Sequence, residues 1–256
     1  MDFQLNRYVK STSLLFAVAS IQATAVNVGS AQELEKPNVL YILADDLGYG
    51  EVQAYNPTRG KVSTPNLNRL ADQGMMFTDA HSASGVCTPT RYGLLTGRYP
   101  WRTRLQKGVI GPDTKPLIKR AFKTLGDLYG SAGYDTAILG KWHLGYQFSE
   151  KRNNHPERTA PAPVEADVIG GPITRGFDYF WGFGLSRTMK TIVENDKVVG
   201  QIPLKKMLPT LARKGAEYIR KESEDKQPFF LYFALNSPHA PVVPNKQFKG
   251  KTGLND

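Results

Sequence analysis

Pro37-Asn38-Val39-Leu40-Tyr41-Ile42-Leu43-Ala44-Asp45-Asp46-Leu47-Gly48-Tyr49-Gly50 decides how the chain is read. Six consecutive apolar residues, Val39 to Ala44, are too few for a typical helix. They fit a strand buried on both faces, as in a parallel sheet. The run stops at two adjacent carboxylates. Asp45 and Asp46 are read either as an ordinary Asp turn or as hard oxygen donors held near each other by a cation such as Ca²⁺.

Working outward, the next signals alternate. Ser63 or Thr64 caps a helix, Pro65 fits its first turn, Leu67 and Leu70 share a face, and Gly74 stops it. Met75-Met76-Phe77 starts a second short apolar strand. A helix opens at Cys87-Thr88-Pro89-Thr90-Arg91 and runs through Leu94 and Leu95. Another covers Thr124 to Ala132, closed by Gly133. A strand from Thr136 to Leu139 leads into Gly140-Lys141-Trp142-His143-Leu144-Gly145. Residues 149–175, rich in Pro, Arg and Asn, read as a long surface loop. Pro209 to Glu224 is an amphipathic helix. Phe229 to Leu235 is a further buried strand, ending in Asn236-Ser237-Pro238-His239-Ala240-Pro241. Strands alternating with helices are the α/β pattern. Polar residues cluster just after the strands' C-terminal ends, where open α/β sheets bind ligands.

The chain has 256 residues, a formal net charge of +10 and one cysteine. No Lys/Arg run exceeds two residues and there is no nucleic-acid motif, so nucleic acid is not an expected partner. The charge fits a solvated surface or a field that attracts an anionic substrate. Arg7 and Lys10, then the short apolar stretch Leu14 to Ile21, read as a secretory signal over residues 1–31, cleaved after Ala25 or Ala31. That stretch is too short for a stable membrane span. A secreted or periplasmic location is expected, with an uncleaved anchor or a disordered tail as the other readings of this segment. One cysteine makes no internal disulfide, so Cys87 is either an inert buried thiol or a reactive group.

Residue chemistry narrows the candidates. Cys87 at a helix start favours anionic chemistry there, and Arg91 follows one turn later with a rigid fork of donors. Lys141 and His143 alternate about Trp142, so an extended backbone points them the same way. They read as an anion holder and a proton carrier, or as a solvated lysine and a structural histidine. His239 reads as a site residue or a turn histidine.

Cys87-Thr88-Pro89-Thr90-Arg91 with the downstream Leu95-Thr96-Gly97-Arg98 resembles the C-x-P-x-R signature of the sulfatases. The opening strand with Asp45-Asp46, the segment 140–145, and Pro238-His239-Ala240-Pro241 resemble three further motifs of that family, in order. The resemblance spans residues 37–256. It implies an alkaline-phosphatase-like α/β/α sandwich with a mostly parallel central sheet. It implies hydrolysis of sulfate esters, with a sulfated carbohydrate as a natural substrate class, after a formylglycine-generating enzyme converts Cys87 to formylglycine. The hydrated aldehyde carries two hydroxyls. One attacks sulfur and the second permits release of sulfate, which a plain thiol or serine lacks. By the same resemblance Asp45, Asp46 and the modified Cys87 bind one Ca²⁺. Arg91 steadies the diol, Lys141 and His239 hold sulfate oxygens, and His143 takes a proton. Ser186 matches a family serine only weakly. A phosphonate or phosphate ester hydrolase of the same superfamily, and a fragment that only binds sulfated glycans, remain alternatives. The family's later Asp-Asn pair does not follow His239, so the chain is expected to be the N-terminal part of the catalytic domain, with the C-terminal part absent, and to be a poor sulfatase or an inactive one on its own.

Overall fold

The computed structural model describes residues 35–149, 162–186 and 189–252. The signal reading of residues 1–31 and much of the proposed 149–175 loop lie outside them. Contacts divide the chain at Glu35, and the fold below belongs to the unit from Lys36 onward. In chain order it comprises β1 (Val39–Asp45), α1 (Pro65–Gln73), α2 (Cys87–Thr96), α3 (Leu125–Ser131), β2 (Asp135–Lys141), β3 (Gln147–Phe148), β4 (Val168–Ile169), β5 (Tyr179–Phe183), β6 (Thr191–Glu194), β7 (Lys197–Gln201), α4 (Leu204–Glu222) and β8 (Phe229–Pro238).

One six-stranded sheet runs β1-β8-β2-β5-β6-β7, and β3 pairs β4 separately. The first four strands of the large sheet are mutually parallel, and β6 and β7 are added by antiparallel pairing, β6 against β5 and β7 against β6. Side chains alternate between faces. Ile138, Phe230 and Tyr232 pack with Tyr92 and Leu95 of α2. Ala137, Leu139, Phe229 and Leu231 pack on the other face with Met207 and Leu211 of α4. The result is helices on both faces of a mostly parallel sheet, as expected from the sequence.

Small residues let three strands approach at one level. Gly140 pairs Ala234 on one side and Gly182 on the other. Gly140 has φ +110°, and a Cβ there would lie 2.0 Å from the Ala234 carbonyl oxygen. This close approach lies one residue before the end of β2, which places Lys141 at the sheet's C-terminal rim.

Several local expectations hold. Thr64 precedes α1 with Pro65 at its first position and Gly74 following it, although the Thr64 hydroxyl bonds Gln53 and Asn68 and makes no capping bond. Thr124 caps α3 and accepts from the Asp127 amide. Others need correction. Val39–Asp45 is a parallel strand, but an edge one. Leu40 and Ile42 are 43% and 53% exposed, and among the described residues β1 has a strand neighbour only on the β8 side. Met75-Met76-Phe77 forms no strand and is exposed. α4 begins at Leu204 and carries Pro209 inside it. Burial of Met207, Leu211 and Gly215, four residues apart, outweighs the amide that proline lacks. Within the described part of 149–175, Ala162, Ala166, Val168 and Arg175 are buried, so that part is not a surface loop.

Candidate active site

Four parallel strands and one helix converge at the sheet's C-terminal rim. β1 ends at Asp45, β2 at Lys141, and β5 runs into Gly184 and Ser186. β8 continues through Pro238, where the His239 amide donates to the Asp45 carbonyl at 2.9 Å. α2 starts at Cys87 and brings Arg91 inward one turn later.

Asp45 is the hub. Its carboxylate accepts from Arg91 Nη2 at 3.3 Å and from Lys141 Nζ at 2.5 Å. Ser186 Oγ donates to the same carboxylate at 3.5 Å. Arg91 also donates to the Lys141 carbonyl at 2.8 Å and to the Tyr232 hydroxyl at 3.3 Å. All of these side chains are buried. Burial alone would raise the Asp45 pKa. The Arg91 and Lys141 charges outweigh it and hold the carboxyl below its ordinary range. Burial raises the Tyr232 pKa, so its hydroxyl stays neutral.

His143 is set differently. Its φ is +52°, so the segment after Lys141 is not extended, and the alternation argument does not describe it. Its amide donates to the Gly184 carbonyl at 2.6 Å, and its Nε2 lies 3.0 Å from the Ile110 carbonyl. Burial first, then the Lys141 charge, drives its pKa down to about 3, leaving the ring neutral near pH 7. Among the described residues its buried Nδ1 has no partner.

The other expected residues lie further out. Cys87 is half-buried at the first position of α2, and its neighbour Thr88 bonds the His143 carbonyl at 3.1 Å. Asp46, with φ +65°, is half exposed, and His239 Nε2 stands 3.7 Å from its carboxylate. Thus Asp45, Arg91, Lys141 and Ser186 form one buried cluster, and Asp46 with His239 a more open pair beside it.

Two buried cations face a single buried carboxylate, so these groups carry one uncompensated positive charge. Arg91 Nε is also buried without a partner among the described residues. A buried charge left unpaired is costly, and this one suits an anion. The cluster does not by itself fit a complete calcium site. Both Asp45 oxygens already face cations, and Ca²⁺ takes six to eight oxygens. Among the described residues no three His, Cys, Asp or Glu gather around one point.

Residues 37–255 match the family model described as Sulfatase. The chain belongs to the sulfatase family. It is similar to an N-acetylgalactosamine-6-O-sulfatase of Bacteroides thetaiotaomicron, at 32% identity over 90% of this chain and 53% of the relative. It is also 32% identical to arylsulfatase A of Bos taurus, over 85% of this chain and 44% of that protein. The chain thus spans about half the length of the curated relatives it matches. One solved structure, titled for glycosaminoglycan metabolism in Bacteroides thetaiotaomicron, superposes with TM-score 0.71 at 29% identity. It covers 86% of this chain and 55% of its own. Another, Ps i-CgsB in complex with k-i-k-neocarrahexaose, gives TM-score 0.64 at 28% identity over 83% and 47%. The sulfatase resemblance read from the motifs is therefore correct.

Sequence reading missed Tyr232 and the carbonyl of Ile110. Tyr232 sits inside an apolar run, where an aromatic residue reads as core. A main-chain acceptor leaves no trace in residue identity. Thr88 was in view only as a variable position of the signature.

Proposed function

We propose that this chain carries the nucleophile-bearing part of a sulfate ester hydrolase acting on a sulfated carbohydrate, through formylglycine made from Cys87. The observation that carries the reading is the buried Arg91–Lys141–Asp45 cluster. It holds more positive than negative charge, on the elements that also present Cys87 and His143. The sulfated substrates named for the relatives, and the oligosaccharide in one solved structure, support the carbohydrate class.

The modification supplies a hydrated aldehyde, whose two hydroxyls allow attack on sulfur and then release of sulfate. This chain's residues do the rest. Arg91 holds fixed positive charge beneath the start of α2. Lys141 binds a sulfate oxygen, since its ammonium has three N–H donors and the Asp45 bond uses one. His239, on the open side, binds another. Neutral His143 receives the proton as sulfate leaves. Asp45, Asp46 and the modified residue at 87 contribute to a Ca²⁺ site that they do not complete, and no step above is routed through it. Export and maturation by a formylglycine-generating enzyme belong to the same reading. Among the described residues no helix is long and apolar enough to cross a membrane.

The test is co-expression of the full chain with a formylglycine-generating enzyme. Mass spectrometry of the Cys87 peptide should show a loss of about 18 Da, thiol to aldehyde, as covalent catalysis of this kind requires. Finding only unmodified thiol would overturn the nucleophile. Side-by-side turnover of an aryl sulfate and an aryl phosphate then decides the ester. Preference for phosphate would overturn the sulfate assignment.

A further inference from the structure

Thr88, Ile110 and His143 close a ring of hydrogen bonds. The Thr88 hydroxyl donates to the His143 main-chain carbonyl at 3.1 Å. The same hydroxyl accepts the Ile110 amide at 3.4 Å. The Ile110 carbonyl in turn lies 3.0 Å from His143 Nε2. All three residues are buried. One hydroxyl thus holds both the backbone that carries the imidazole and the peptide that faces its ring.

A carbonyl oxygen only accepts. Contact with Ile110 therefore requires the proton on Nε2, and a neutral ring then leaves the Nδ1 lone pair free. Nδ1 is the atom left buried without a partner among the described residues. From this geometry we propose that Thr88 is a positioning residue. It locks His143 as the Nε2–H tautomer with Nδ1 as the available base, acting through the Ile110 carbonyl. The low pKa of the ring agrees with a neutral imidazole at neutral pH.

This assigns a purpose to a side chain inside the signature that is neither nucleophile nor charge. Valine has nearly the shape of threonine and lacks the hydroxyl. Thr88→Val would free the Ile110 amide and the His143 carbonyl, and the ring could turn or change tautomer. Thr88→Ser keeps the hydroxyl and should keep the lock. The inference rests on the proposed hydrolase only for the use made of Nδ1. The tautomer and its dependence on Thr88 stand without it.

The experiment reads the imidazole directly. The full chain has four histidines, so ¹⁵N-labelled protein gives a small set of ring signals by long-range ¹H–¹⁵N correlation. His143→Gln assigns one set by its disappearance. Wild type and Thr88→Ser should show His143 with protonated Nε2 and unprotonated Nδ1 at pH 7. Thr88→Val should show averaged or exchanged tautomer signals. If Thr88→Val does not fold, Thr88→Ala removes the same hydroxyl at smaller volume and takes its place. An Nδ1–H pattern in wild type overturns the proposal, as does a wild-type pattern in the variant lacking the hydroxyl. In a matured, active preparation the same variant should lower kcat by about tenfold or more, a part of the roughly 10²–10⁴-fold that proton transfer by a positioned group contributes. KM should stay near wild type, at equal formylglycine content. Finding only unmodified thiol at Cys87 after co-expression with a formylglycine-generating enzyme would sink the hydrolase reading and leave the spectroscopic result intact.

Discussion

Lys141 Nζ lies 2.5 Å from Asp45 Oδ2, and neither side chain is more than 2% exposed. Arg91 takes the other carboxylate oxygen, so one anion supports two buried cations. Asp45→Asn should therefore destabilise the fold by about 3–5 kcal/mol, the scale for removing one partner of a buried pair. Urea denaturation of wild type and variant measures it. A loss below about 1 kcal/mol, the range of exposed pairs, would mean that water screens the cluster.

Lys141 also provides a test of function. In a matured preparation Lys141→Ala should lower kcat/KM roughly 10²-fold or more, as for loss of one preorganised donor. An unchanged kcat/KM would confine Lys141 to holding Asp45.

Acid stability should depend on His143. Its pKa falls from 6.5 to about 3 on folding. Between those values the unfolded chain binds a proton that the folded chain refuses, so stability drops as pH falls from 6.5 toward 3. The slope from this one group approaches about 1.4 kcal/mol per pH unit. Asp45 acts in the same direction further down. Its lowered pKa contributes stability above the ordinary carboxylate range, lost as pH falls through the folded value. His143→Gln removes the first contribution. Its denaturation free energy should vary less between pH 6.5 and 4 than that of wild type, and an identical slope would show that the ring titrates freely.

Gly140 is a backbone requirement rather than a functional group. Gly140→Ala meets a positive φ and the Ala234 carbonyl at once. Strain and overpacking together should cost roughly 3 kcal/mol or more. A variant that melts with wild type would contradict the close approach of β2 and β8 at Gly140.

Asp45, Cys87, Arg91, Lys141, His143 and His239 stand out in the sequence because each sits in a short motif at a strand or helix end; the structure gathers Asp45, Arg91 and Lys141 into one buried cluster and leaves Cys87 and His239 further out. β2 and β8 were legible as apolar runs bounded by polar residues. β5 and β7 were not, because glycines and aromatics interrupt their alternation, and β6, Thr191–Glu194, is too short to show a pattern. The failure at Met75–Phe77 has the opposite cause: an apolar triplet records hydrophobicity but not a pairing partner. Thr88 and Ile110 matter through their hydroxyl and main-chain atoms, which composition does not reveal.

β1 and β8 state the same lesson as a measurement. Both read from the sequence as buried strands, yet they occupy different places. Ile42 of β1 is 53% exposed on an edge strand, while Leu231 of β8 is fully buried between β1 and β2. Ile42→Thr keeps a β-branched side chain and removes little from the core, so it should change stability by no more than about 0.5 kcal/mol. Leu231→Ala opens a cavity between the sheet and α4 and should cost about 2–5 kcal/mol. Paired denaturation curves of the full chain decide the matter. A cost at Ile42 close to that at Leu231 would mean that β1 is covered in solution and that its exposure is not a property of the folded chain.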